Sequence, residues 1–500
     1  MSNIRRQSIF SSLLIYMGFA FGALNTYFFT KQGLFKPEEY GLIQAIININ
    51  LVFFSICTLG APAMMSRFFP YYDELPKKEN DLFTFVLFSS FAGFIILCLL
   101  ACFFQPLVVR KFQATSSLLI HYYYWILPYT FFYTIYYILE VQSYISKKAV
   151  APSFLRETVH RLIVTFLIVL FVFKVINFDE MVKSYAFSYA LLMFFLAAFL
   201  IKHGLLNFTF KISSVTKKHY KEILKMMLFV YTGGIIFYLG LNFDSINLTR
   251  QGGLEKSGIF TLSMYIASII SVPQRSIVAI TSPHIATAWK EKNLKEISRI
   301  YSRSSINLLI ISLFIFLNIW LNIDDAYIFL KINPTFIAGK YVIFILGLKF
   351  IIDMGTGVNA QMLHTSNFWK FEFITGVVLL FLTIPLNYWL TQKYDMVGAG
   401  IAGFISLTVY NIIRLWFIYY KFKMQPFTIN SLKSVIVAAA IYGLVYFVSQ
   451  TLSGLPAMII RSTLFSLLFM VTVYFLKLTP DMEPVVNSIK KRLGIKTTQA

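Results

Sequence analysis

Apolar residues in this chain gather in long blocks separated by short polar breaks. Neither strict alternation nor a narrow apolar stripe dominates. A helix that crosses a bilayer needs about 20 mainly apolar residues. Blocks of that length fall at about 8–30, 40–62, 82–104, 116–143, 150–173, 181–202, 224–246, 257–281, 302–322, 340–363, 370–391, 398–420, 431–451 and 457–476. The pattern predicts an all-α polytopic membrane protein with about fourteen transmembrane helices. Lys349 and Asp353 interrupt the tenth span, and Pro128 lies in the fourth.

Composition agrees. Only 13% of the 500 residues are charged and 58% are hydrophobic, with a mean hydropathy of +0.70. A soluble domain carries about a quarter charged residues, so lipid must solvate much of this surface. The net charge of +22 would suggest nucleic acid in a soluble protein. Here the bases sit between apolar blocks, and a positive-inside membrane protein accounts for them. Even-numbered connections hold most of them, including Lys147, Lys148 and Arg156; Lys211, Lys217, Lys218, Lys221 and Lys225; and Lys290, Lys292, Lys295, Arg299 and Arg303. This bias predicts an even number of spans with both termini in the cytoplasm. Arg5 and Arg6 precede a first span that lacks a cleavage site and is too long for a signal peptide. The cysteines Cys57, Cys98 and Cys102 lie inside apolar blocks and read as small buried or lipid-facing residues.

An internal repeat organises the spans. Thr30-Lys31-Gln32-Gly33-Leu34 follows the first span, and Thr249-Arg250-Gln251-Gly252-Gly253-Leu254 follows the seventh. The two threonines lie 219 residues apart, as do Gln142 and Gln361 near the ends of spans four and ten. Met181 and Met396, ahead of spans six and twelve, lie 215 apart. A six-helix unit repeated in the same orientation predicts two lobes: residues 1–210 with spans one to six, and 211–425 with spans seven to twelve. Residues 426–500 add two C-terminal helices and a cytoplasmic tail. Parallel repeats of this kind occur in transporters, with the substrate path between lobes near the midplane.

From here the residues resemble a family. The resembling stretches run from Asn242-Phe243-Asp244 to Gly258, from Ser271-Val272-Pro273 to Ser282-Pro283-His284-Ile285-Ala286, and from Pro385-Leu386-Asn387-Tyr388 to Gly398-Ala399-Gly400-Ile401-Ala402. Together with the architecture they resemble the multidrug/oligosaccharidyl-lipid/polysaccharide (MOP) exporter superfamily, and within it the Wzx-like O-antigen and exopolysaccharide flippases. The resemblance implies a flippase that moves a polyprenyl-pyrophosphate-linked oligosaccharide across a bacterial inner membrane by alternating access. The cargo would be an O-antigen, capsule or exopolysaccharide unit. It further implies H+ or Na+ as a coupling ion and a polysaccharide polymerase as a downstream partner. The alternatives are a MATE-like drug or cation antiporter and a lipid II-type flippase. A membrane glycosyltransferase or O-antigen polymerase using Asp324-Asp325, placed in a short connection after the ninth span, would need a large outer domain that the sequence lacks.

Ionisable residues at membrane depth are costly and mark function. Arg275, Lys349, Asn247, Arg67 and Arg414 are the candidates for the substrate cavity. Arg275 follows Pro273 in span eight, and its guanidinium suits phosphate. Lys349 and Asp353 share a helix face at i, i+4, either as cargo and ion contacts or as a self-neutralising pair. Asp244, Asp353 and Glu140 are the candidate coupling-ion residues. Asn247 and Gln251 share the polar face of Asp244 in span seven. Arg67 and Arg414 equally suit anchors at helix ends, and Glu140 a pair with Lys147 or Lys148. His121 and the run Tyr122-Tyr123-Tyr124-Trp125 suit an interfacial belt. There is no G-x-x-x-x-G-K-[ST], H-E-x-x-H or CxxC motif, so no enzyme activity, metal or cofactor is expected.

Overall fold

The computed structural model describes residues 17–484. Those residues are helical, with no sheet among them. Apolar blocks with no water to satisfy their backbone must close their hydrogen bonds internally, and helices do this within each segment. The protein is an all-α polytopic membrane protein. Nine described stretches are long and apolar enough to cross a bilayer.

The predicted spans meet helices in order. The first, α1, covers 17–30, the remainder of that span lying outside the described residues. There follow α2 (Pro37–Thr58), α3 (Leu82–Phe112), α4 (Ile126–Ile145), α5 (150–172), α6 (Phe178–Lys202), α7 (214–252), α8 (254–290), α9 (Leu294–Phe329), α10 (Lys340–Gly355), α11 (369–394), α12 (396–422), α13 (Ile429–Val448) and α14 (Gly454–Phe475). The helical run Ser214–Lys290 holds 77 residues. At 1.5 Å per residue that would be several times the thickness of a hydrocarbon core. It breaks at Gly253, whose φ of 87° suits a residue without a Cβ. Asp395, at φ 56°, makes the equivalent break between α11 and α12.

Three boundaries differ from the sequence pattern. The fourth block starts with a short helix, Ser117–His121, and a 3-10 turn through Trp125 before α4 begins. The ninth helix starts at Leu294 and runs to Phe329. Lys295, Arg299, Arg303 and the Asp324-Asp325 pair therefore lie on a helix and not in connections. Arg67, placed after α2, lies on a helical continuation, Ala61–Asp73, beyond a kink at Leu59 and Gly60.

By internal contacts the chain divides into unit 1, Met1–Gly258, and unit 2, Ile259–Ala500. Within unit 1, glycines set the close crossings. A Cβ on Gly18 would overlap the Glu157 carbonyl of α5, and the Arg161 guanidinium lies over Gly22. Gly18 and Gly22 form a small-x-x-x-small step, which lets helix backbones approach in lipid. Gly41 of α2 meets the Leu254 carbonyl and the Gly258 amide in the same way. The hydroxyls of Ser116 and Thr115 donate to the Thr249 and Arg250 carbonyls at 2.7 and 2.9 Å. They occupy acceptors that the end of α7 leaves open.

Within unit 2, α9 packs on α10, α13 and α14. Leu308, Leu313 and Phe316 of α9 share a buried cluster with Phe465 and Phe469 of α14. Arg461 of α14 pins this end. It pairs with Asp325 and donates to the Leu452 carbonyl at 2.7 Å and the Ser449 hydroxyl at 3.1 Å. Asp324 pairs with Lys340 at 2.6 Å. Both aspartates are thus engaged in holding helices together.

Candidate functional site

Besides the Arg461–Asp325 clamp, each unit holds, among the described residues, a cluster of charged and polar side chains on membrane-spanning helices. In unit 1 the centre is Glu140, near the last turn of α4 and fully buried. Its carboxylate accepts from Arg156 Nη1 at 3.0 Å and from the Tyr144 hydroxyl at 2.8 Å. The expected partners Lys147 and Lys148 are exposed, and Glu140 pairs with neither. The pairing partner comes from α5, whose segment Leu155–Val159 widens into a π-turn. Such single-turn bulges often accompany functional sites. Arg156 Nε also donates to Glu157 at 3.2 Å, and Arg161 Nη2 donates to Glu157 at 3.1 Å. Asn25 of α1 holds the Arg161 carbonyl at 2.9 Å. Two acids and two arginines thus form a neutral chain. His160 contacts the Ser188 hydroxyl at 3.2 Å and lies against the Tyr189 ring, 4.5 Å between centroids.

In unit 2 the centre is Asp353 of α10. It does not pair with Lys349. Gln274 Nε2 of α8 donates to it at 3.3 Å and Asn411 Nδ2 of α12 at 3.1 Å. Asn411 Oδ1 in turn accepts from Asn359 at 2.9 Å and from Thr356 at 3.2 Å. One carboxylate held by two amides, the second of them held in turn by a third amide and a hydroxyl, makes a site rich in oxygen. Hard cations take that donor chemistry, because an amide turned by half a rotation presents its carbonyl. One turn along α12, Arg414 is buried. It grips Glu372 of α11 through Nε and Nη2, donates to the Tyr410 hydroxyl and lies over the Tyr410 ring.

The remaining candidates divide in two. Arg275 and Arg67 are exposed and Lys349 half-exposed, and none of them makes an ion pair among the described residues. Asn247 is buried and accepts from Gln251 at 2.8 Å, with Asp244 half-buried one turn earlier on α7. Ser245 on that helix accepts from Asn48 of α2 at 2.7 Å. The structure therefore joins Asp353 to Asn411, Gln274 and Thr356, and Arg414 to Glu372. It leaves Arg275, Lys349 and Arg67 without a counter-charge among the described residues. His121 is exposed and lies 3.9 Å from Asp179, as an interfacial histidine would.

Sequence reasoning missed Arg156, Glu157, His160, Arg161, Gln274, Glu372, Tyr410 and Asn411. For the first four a signal existed. An acid one turn before a span's end and an arginine one turn into the next face each other across a tight connection. Glu372 stands in the first turn of α11, where it reads as a helix-end acid.

Neither a protein-family model nor a curated protein sequence matches the chain. Solved structures do. A structure titled lipid II flippase MurJ in an inward closed conformation superposes with a TM-score of 0.69 at 16% identity, covering 94% of this chain and 99% of its own. An inward-facing multidrug resistance MATE family transporter of the MOP superfamily superposes at 0.59 and 14% identity, covering 82% of this chain and 94% of its own. A MOP superfamily transporter from Pyrococcus furiosus superposes at 0.51 and 14% identity, over 82% of this chain. The fold is that of the MOP exporters.

Proposed function

We propose that the chain is a flippase for a lipid-linked oligosaccharide in a bacterial inner membrane, with both termini cytoplasmic. The observation that carries the proposal is coverage. The lipid II flippase matches 94% of the chain and the multidrug transporter 82%, and the additional share is of the size of α13 and α14. The lipid II flippase therefore accounts for more of the chain, and lipid-linked cargo is the better fit.

The mechanism follows from the charges. Arg275 and Lys349 lie within spans and have no counter-charge among the described residues, so a cargo diphosphate supplies one. Charge-assisted hydrogen bonds to phosphate are the strong kind. Asp353, with Gln274, Asn411 and Thr356, holds the coupling ion, Na+ or H+. Alternating access then moves the head group while the polyprenyl tail stays in lipid. A polysaccharide polymerase consumes the product outside. Exchange of ion for cargo requires that each changes the other's binding by the same factor.

The test is deletion of the gene with analysis of lipid-linked glycans and surface polysaccharide. Loss of surface glycan, with intact precursor accumulating on the inner leaflet, is the expected result. Unchanged surface glycan with raised drug sensitivity would overturn it in favour of a MATE-like antiporter.

A further inference from the structure

The cluster in unit 1 has no part in the mechanism above, yet its geometry is specific. Arg156 donates to two acids from two of its nitrogens: Nη1 to Glu140 and Nε to Glu157. Its Nη2 has no hydrogen-bond partner among the described residues, and 37% of the side chain is exposed. Glu140, by contrast, is 1% exposed as a side chain. A buried acid thus holds an arginine that is itself part-exposed and keeps one terminal nitrogen unspent. Burying a carboxylate requires full compensation, and Glu140 receives it from one guanidinium and one phenol.

We propose that Arg156 is a binding site for a phosphate or diphosphate ester, and that Glu140 is its built-in competitor. The proposal rests on the flippase reading for the source of that ester, the polyprenyl diphosphate of the cargo. With Glu140 ionised, Glu140, Glu157, Arg156 and Arg161 sum to zero charge, and an anion at Nη2 meets two carboxylates at close range. A proton on Glu140 removes one of them. The cluster then carries a net positive charge, and the guanidinium is free to turn both terminal nitrogens to phosphate oxygens, the bidentate geometry arginine favours. No bond is made or broken except the O–H on Glu140, whose proton comes from water. Anion and proton therefore bind together, each strengthening the other by the same factor.

The groups facing Glu140 are few. Arg156 and Glu157 come from α5, and Tyr144 donates from its own helix. Tyr133 and Tyr136 also lie near from α4, and Tyr189 of α6 lies near Arg156. These tyrosines and Tyr137, which also faces Glu140 from α4, are neutral at working pH, so the proton goes to Glu140 or Glu157; Glu157 holds two guanidiniums and Glu140 one, which leaves Glu140 as the acceptor. The site lies at the helix ends joined by the connection that carries exposed Lys147 and Lys148. Under the positive-inside rule this is the cytoplasmic side, where cargo is loaded.

The test is direct binding by the purified full chain in nanodiscs, with polyprenyl diphosphate, inorganic diphosphate and phosphatidylglycerol as separate probes, from pH 8 to pH 5. Wild type should bind polyprenyl diphosphate about tenfold more tightly as the pH falls, the size expected when one charge near a buried site is removed. Glu140→Gln should bind at the tight limit with no pH dependence. Arg156→Ala should lose binding, and Arg156→Lys should regain part of it. Tyr144→Phe, which spares the ion pair, should move the transition to higher pH and serves if Glu140→Gln does not fold.

PH-independent binding in wild type, or undiminished binding by Arg156→Ala, would overturn the site. Equal binding of phosphatidylglycerol would overturn the carrier assignment and leave a general anionic-lipid contact. Binding of inorganic diphosphate alone would make the ligand a free anion. The surface-glycan assay tests the flippase reading separately. Glycan export lost on deletion, together with failed Arg156 binding, would sink the site and leave the flippase standing.

Discussion

Arg414 offers the sharpest test of what a buried charge does in this fold. Its side chain is 6% exposed and that of its partner Glu372 is 16% exposed. Removing one member of a buried pair leaves the other uncompensated, at a cost of about 3–5 kcal/mol. With Glu372 removed, Arg414 keeps the Tyr410 hydroxyl as an acceptor, so the lower end applies. Glu372→Ala should cost about 3 kcal/mol. At about 2–4 °C per kcal/mol for a unit of this size, the midpoint should fall by about 6–12 °C. Replacing both residues by apolar ones of similar volume is often neutral. The double variant Glu372→Leu with Arg414→Met should then return to within about 1 kcal/mol of wild type. The assay is thermal unfolding of purified protein in detergent, alongside surface-glycan complementation of a deletion strain. A clamp predicts a stable double variant that complements. If Glu372→Ala melts with the wild type, or the double variant is no better than the single, the pair does not hold α11 to α12. A stable double variant that exports nothing would instead place Arg414 against the cargo.

Arg275→Ala and Lys349→Ala remove charges with no internal partner, so each should melt within about 0.5 kcal/mol of wild type. Export should nonetheless fall about tenfold or more, the scale of one lost charge-assisted hydrogen bond; full export in both would remove them from the cargo path. Gly18→Val should destabilise unit 1 by about 1–3 kcal/mol, because its side chain would overlap the Glu157 carbonyl. Gly233→Ala, with nothing within 4 Å of the added carbon, should hold or gain stability, and equal losses from the two would show that the crossing of α1 and α5 is not close. Asp325→Ala should lower stability by about 3 kcal/mol by leaving Arg461 without its acid; an unchanged melting curve would show that the α13–α14 hairpin is held by packing alone.

The helices were legible because a bilayer imposes one length and one chemistry on each of them. The breaks at Gly253 and Asp395 were legible for the same reason, since a single span cannot run on. The sites were less legible. Spacing along one helix left Lys349 and Asp353 either as cargo and ion contacts or as a self-neutralising pair. The partners of Asp353 instead come from α8 and α12, which are distant in sequence, so no local pattern announces them. Arg156 was counted as a loop base because it lies close to Lys147 and Lys148. The fold draws it toward the buried acid at the end of α4. Asp324 and Asp325 were placed in a short connection after the ninth span, but they lie on α9. On a helix, neighbours point about 100° apart, and each went to a different cation.

The one-residue breaks at Gly253 and Asp395 have a practical consequence. Where α7 passes into α8, and α11 into α12, the chain offers a protease, an antibody or an inserted tag almost no slack to hold. An epitope placed there would have to unwind a helix to be seen. The connections around 204–213 and 423–428, by contrast, are several residues long and can carry a label. Experiments that need a handle on this protein should begin at those positions.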